Sequence, residues 1–306
     1  MIEHFRKRQG HEPQDVRGFM EKITAQLDQQ HGESLCRVAS SAESGVLTEE
    51  DSQMLQTVIE ECLQRVVELP LQARLIEWCK RKCTGEDREL IRRQGYLRAC
   101  EQSFFEIPRH AVSPSNWRKA CQILSSLEDA LNVTPNQRLQ ILISVKKAIE
   151  ITYESECRDR GADPAKHPLS ADEIMPIFTF VVVNSQVTSL KAIQMYLYEI
   201  AASGSQGLGE AGYYLCVLEA SVGHVLNMDM TEAEQVYHRK SREALENRRL
   251  QQQQELESSR SQAVIPLQAE CPKCGTTLWV KALITNVCGA CEHKFYVKKP
   301  RGAPPG

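Results

Sequence analysis

With 306 residues, 42% of them hydrophobic and 25% charged, the chain has room for about two or three domains and can bury a core. Its net charge of −3 and pI near 6.3 argue against binding a phosphate backbone as its main task, so nucleic acid is not the expected partner. No apolar run reaches the roughly 18 residues of a membrane span, and Met1-Ile-Glu-His-Phe-Arg-Lys-Arg8 lacks the apolar stretch of a secretory signal.

Residues 1–47 are polar, with a weak amphipathic stretch around Val16–Leu27, and read as a flexible or weakly helical arm. Thr48-Glu-Glu-Asp51 is a helix-start signature with acids on the first turn. Leu55, Val58, Ile59, Cys62, Leu63 and Val66 then recur at helical spacing up to Pro70. Ser113-Pro114 reads as a second start, with proline at the first helical position. Thr134-Pro-Asn-Gln137 repeats that device as a capping box, ahead of an apolar face of Leu139, Leu142, Ile143 and Ile149.

Ser170-x-x-Glu173 is a third box, ahead of Ile174, Ile177, Phe178 and Val181. The β-branched run Phe180–Val183 lies inside this helical period and is expected to be buried helix. Helices over Leu190–Ile200 and Gly212–Leu226 flank a flexible Gly204–Gly212 loop. Thr231-x-x-Glu234 is read as the cap of a long polar helix running to about Arg260, a solvated spacer rather than half of a coiled coil. Residues 48–229 thus form one all-helical block, and the fold class is all-α.

Eight of the twelve cysteines (Cys36, Cys62, Cys79, Cys83, Cys100, Cys121, Cys157 and Cys216) are scattered through helical segments. The other four form two C-x-x-C pairs, Cys271/Cys274 and Cys288/Cys291, which is the usage of a reducing compartment with one metal site. Four thiolates on two tight turns suit one tetrahedral zinc, and a complete sulfur set makes it structural. Leu278-Trp-Val-Lys-Ala and His293-Lys-Phe-Tyr-Val read as strands of a small β zinc ribbon. Lys273, Lys281, Lys294, Lys298, Lys299 and Arg301 make it locally basic, which allows contact with an anionic membrane or protein; the plainer reading is a solvated face.

Asp172 falls on the first turn of its helix, where an acid commonly just compensates the helix dipole. Pro176 stands about six positions in, where it cannot donate to the Asp172 carbonyl and costs roughly 3 kcal/mol. The adjacent Tyr213 and Tyr214 point in different directions, so one can be core while the other faces a partner.

Asp172-x-x-x-Pro176 and Gly209-Glu-Ala-Gly-Tyr-Tyr214, with the turn at Asn184 between them and Thr134-Pro135 to Lys146-Lys147 upstream, resemble the Vps-nine (vacuolar-protein-sorting-nine) domain over about residues 130–228. The helical stretch before it is similar to the bundle that commonly precedes that domain. The resemblance implies a guanine-nucleotide exchange factor for a Rab-five-type small GTPase in endosomal trafficking, which speeds GDP release without covalent chemistry. It makes Asp172 the acidic finger and Tyr213 a switch contact, with Pro176, Asn184 and Cys216 as GTPase-binding positions. The family's usual threonine is Cys216 here, and a thiol donates poorly; that keeps open a non-catalytic Vps-nine-fold adaptor docking through its ribbon.

The implied organisation is an arm over 1–47, a helical bundle over 48–130, a Vps-nine-like exchange domain over 131–229, a spacer helix over 230–262, a zinc ribbon over 263–300 and a disordered tail over 301–306. The implied location is the cytoplasm, with recruitment to early endosomal membranes.

Overall fold

The computed structural model describes residues 1–8, 10–39, 48–129, 133–201, 209–262, 266–281 and 285–297. Residues 204–208 of the expected loop, Lys298, Lys299, Arg301 and the tail 301–306 lie outside these. The chain divides into two compact units, Met1–Tyr237 and His238–Gly306.

The first unit is helical throughout, as expected. Its helices are α1 (Ile2–Lys7), α2 (Pro13–Ala39), α3 (Glu49–Leu63), α4 (Gln72–Leu97), α5 (Arg118–Asp129), α6 (Pro135–Asp159), α7 (Ala171–Asn184), α8 (Leu190–Ala201) and α9 (Glu210–Asn227), with α10 (Thr231–Gln262) beginning there. The three capping boxes close on Thr48, Thr134 and Ser170, each side chain accepting from the backbone N–H three residues on. The run Phe180–Val183 is buried helix. Val16 of α2 is fully buried, and α2 packs on α3 and α8.

Three local expectations are corrected. Pro70 does not end a helix: a π turn over Gln64–Glu68 and a 3-10 turn over Leu69–Leu71 carry the chain into α4. The π turn shifts the hydrogen-bond register just ahead of the residue that lacks an N–H.

Ser113-Pro114 does not open α5. Ser113 Oγ donates to Glu156 of α6 at 2.8 Å, and Asn116 and Trp117 take positive φ of 53° and 54°, so the helix starts only at Arg118.

At α10, Asp229 rather than Thr231 supplies the cap: its Oδ1 accepts from the Thr231 N–H and hydroxyl at 3.0 and 2.7 Å. Glu234 reaches instead to Arg92 of α4.

Helix α4 organises the helices that carry the site. Asp87 accepts from the Lys191 and Ala192 N–H groups at the start of α8, at 2.8 and 3.3 Å. Gln94 and Arg98 donate to the Val182, Val183 and Ser185 carbonyls ending α7, and Arg93 donates to the Val225 and Met228 carbonyls ending α9. Helix ends leave such groups unpaired, and here side chains from a distant helix satisfy them.

The second unit carries β1 (Pro266–Glu270) antiparallel to β2 (Thr277–Lys281) and β3 (Thr285–Val287) antiparallel to β4 (Lys294–Tyr296). β2 and β4 match the expected strands; β1 and β3 are additional. Ahead of them α10 is exposed from His238 to Leu256, as a solvated helix requires.

Candidate functional site: an acid-tipped apolar groove

The site starts at the N-terminus of α7. Glu173 performs the capping there: its Oε2 accepts from the Ser170 N–H and hydroxyl, both at 2.8 Å, and its Oε1 meets His110 Nε2 at 2.8 Å. The Ser170 backbone, with Ser170 Oγ and His110, holds the Glu173 carboxyl below the ordinary glutamate range. Asp172, one residue earlier, is exposed, and no hydrogen bond or ion pair is recorded for its carboxylate among the described residues. Capping is therefore done by the neighbour, which leaves Asp172 as a free carboxylate on a rigid turn. Pro176 is inside the helix as expected.

Asp172 and Pro176 line an open groove of about 780 Å³ whose opposite wall is α9. Tyr213 lines it and is 53% exposed, whereas Tyr214 is 5% exposed and stacks toward Phe178. Gly209 is the N-cap of α9, and Lys146 of α6 bridges Glu150 and the first-turn Glu210, at 2.9 and 3.6 Å, pinning the helix start. Met175, Thr179 and Ala220 continue the floor. The arrangement suits an apolar segment of a partner with a cationic group at one end.

Asn184 is at the other end of α7, about 18 Å along its axis from Asp172, and its Nδ2 donates to the Phe180 carbonyl at 2.9 Å. It does not line the groove, nor does Cys216. Cys216 is exposed one turn beyond Tyr213, so it is not a small core residue.

Several lining residues were not anticipated. His224 and Asn227 continue the α9 stripe of Tyr213 and Ala220 at helical spacing, so their periodicity was available in the sequence. Phe104, Phe105 and Glu106 come from a 3-10 turn over Gln102–Phe105 and the residue after it, and carried no such signal.

In the second unit the Cys271, Cys274, Cys288 and Cys291 sulfurs all lie within 4.8 Å of one another. The Cys271–Cys291 and Cys274–Cys288 pairs are 3.6 and 3.7 Å apart, close to the roughly 3.8 Å edge of a tetrahedron with zinc–sulfur bonds of about 2.3 Å and far from a disulfide.

The family model of the Vacuolar sorting protein 9 (VPS9) domain matches residues 117–230, and the chain carries that domain. Among curated proteins it is similar to Ras and Rab interactor 3 of Mus musculus, 25% identical over 179 residues, covering 57% of this chain and 17% of that protein. Ras and Rab interactor 3 of Homo sapiens is 23% identical over 260 residues, covering 81% of this chain and 25% of that protein. The chain therefore spans a quarter or less of the length of these relatives.

Proposed function

We propose that this chain is a guanine-nucleotide exchange factor for a Rab-five-type small GTPase, with Asp172 as its acidic finger. The observation that carries the reading is a carboxylate without a partner among the described residues, on a capped helix start, bordering an apolar groove that also holds Pro176 and Tyr213. A small GTPase retains GDP through its phosphates, a P-loop lysine and magnesium. A carboxylate presented at that place pairs with the lysine and repels the β-phosphate, so the factor favours the nucleotide-free state over the loaded one. Pro176 and the exposed ring of Tyr213 receive the apolar switch residues. Asn184, outside the groove, and Cys216, beside it, are weaker contacts. The match to a VPS9 domain and the similarity to proteins named for Ras and Rab interaction support the assignment.

The four cysteines hold one structural zinc, which crosslinks the two knuckles of the ribbon and leaves no coordination site open. The ribbon exposes Trp279, Tyr296, Lys273 and Lys294, a composition suited to an anionic membrane or protein surface. This accords with a cytoplasmic protein recruited to early endosomal membranes. One observation favours a non-catalytic adaptor instead: Cys216 presents a thiol where a hydroxyl would donate to the switch.

The test is release of fluorescent GDP from a panel of purified Rab GTPases, with the native chain and Asp172→Ala side by side. Acceleration on a Rab-five-type member, reduced about 100-fold or more in the variant with helicity unchanged, is the expected result. No acceleration on any Rab, with the protein folded and zinc-loaded, establishes the adaptor.

A further inference from the structure

The groove has a wall that the family match does not include. Residues 104–106 precede the matched segment 117–230, yet Phe104, Phe105 and Glu106 line the same cleft as Asp172 and Tyr213. Their segment is held firmly from below. Gln102 is buried; its Nε2 donates to the Ser113 carbonyl at 2.7 Å and its Oε1 accepts from Ser113 N–H and Trp117 Nε1 at 2.9 and 3.0 Å. Phe105 is buried edge-on against Phe180 of α7, with ring centroids 5.3 Å apart, and Ile107 is buried just beyond. Between these anchors Phe104 is half-buried and Glu106 is exposed.

Glu106 is also held at φ 62°, in the left-handed region that glycine or asparagine occupies more cheaply. Its backbone N–H bonds to the Ser103 carbonyl at 3.1 Å, but no partner is recorded for its carboxylate among the described residues. A long acidic side chain thus stands on a strained backbone position at the lining of a groove, with no partner among the described residues.

We infer that Phe104 and Glu106 form a specificity wall of the GTPase groove: Phe104 packs on the apolar switch residues, and Glu106 pairs with a lysine or arginine flanking them. The inference rests on the exchange reading and adds to it a selection between GTPases. Asp172 acts on the nucleotide site that small GTPases share, whereas Glu106 meets surface that differs between them. A rim ion pair contributes chiefly to encounter and partner choice, so its loss is read in KM and in salt dependence.

The experiment uses the full zinc-loaded chain, with Glu106→Asn and Phe104→Leu measured beside Asp172→Ala across the Rab panel. Asparagine tolerates the left-handed backbone, so Glu106→Asn should melt at or above the native temperature. On the preferred GTPase both variants should lower kcat/KM by about tenfold, through KM, with the maximal rate kept, and Glu106→Asn should flatten the rise of KM with salt. On disfavoured GTPases the change should be smaller. Unchanged KM and salt dependence on every GTPase, while Asp172→Ala abolishes exchange, would overturn the specificity wall and leave the exchange reading standing. If the native chain neither accelerates release nor binds any nucleotide-free Rab, both fall together.

Discussion

At the residue scale, adjacent side chains divide their tasks by what each finds within reach. Glu173 is saturated by Ser170 and His110 and serves the fold; Asp172 has no partner among the described residues, which is what its proposed role requires. Tyr214 fills the core, and Tyr213 lines the groove. Cys216 is the residue where function can be improved. A hydroxyl at this exposed position adds a donor worth about 1 kcal/mol to a switch contact, so Cys216→Thr should raise kcat/KM for exchange about fivefold. Titrating native and variant against one Rab checks this; equal activity would show that position 216 does not meet the GTPase.

At the element scale, the start of α7 is a capped unit whose stability depends on one carboxylate. Removing a capping side chain costs about 1 kcal/mol, so Glu173→Ala should lower the melting temperature by a few degrees and loosen Asp172. The folded-state pKa of Glu173 is depressed, so its contribution is present above the unfolded value near 4.3 and is lost as pH falls through the folded one. Melting curves of native and variant should therefore differ at pH 6 and draw together as pH falls below the unfolded value; a constant gap would contradict the capping role. The π turn ahead of Pro70 is an element of another kind. It brings Gln64 to Asn136, at 2.9 Å, and Glu68 to the Tyr196 hydroxyl, tying α6 and α8 to the chain before α4.

At the scale of the whole molecule, the first unit is built around an apolar core that encloses a small polar cluster, and the second around four thiols. Burial raises Glu68 to about 7 despite Tyr196, Arg138 and Gln72, so the folded protein holds a proton there that the unfolded chain releases near pH 4.3. The stability carried by that proton is complete at low pH and is lost as pH rises through about 7. Glu68→Gln stays neutral and should flatten the decline in stability between pH 5 and 8, an effect of about 2–3 kcal/mol visible in denaturant midpoints. For the second unit, a strong chelator should release about one zinc per chain, expose four fast-reacting thiols and remove the strand signal. The helical spectrum of residues 1–237 should persist; its collapse on chelation would show that the first unit depends on the metal.

The sequence alone determined what depends on neighbours along the chain. Capping boxes at Thr48, Thr134 and Ser170, the helical periods of α6 to α9, Pro176 inside α7 and the paired C-x-x-C knuckles are local patterns, and each appears where its spacing places it. The motifs around Asp172 and Tyr213 could likewise be recognised because each sits on one helix start. What lay beyond the sequence depends on residues far apart in it. Ser113 does not cap α5 because Glu156 claims its hydroxyl, and α7 and α9 end, while α8 begins, on side chains of α4. The groove is the product of those long-range bonds. Asp172 and Tyr213 face Glu106 only because α7 and α9 pack together over a 3-10 turn whose own sequence gives no periodic signal, so tertiary packing alone brings the acid, the ring and the second wall to one cleft.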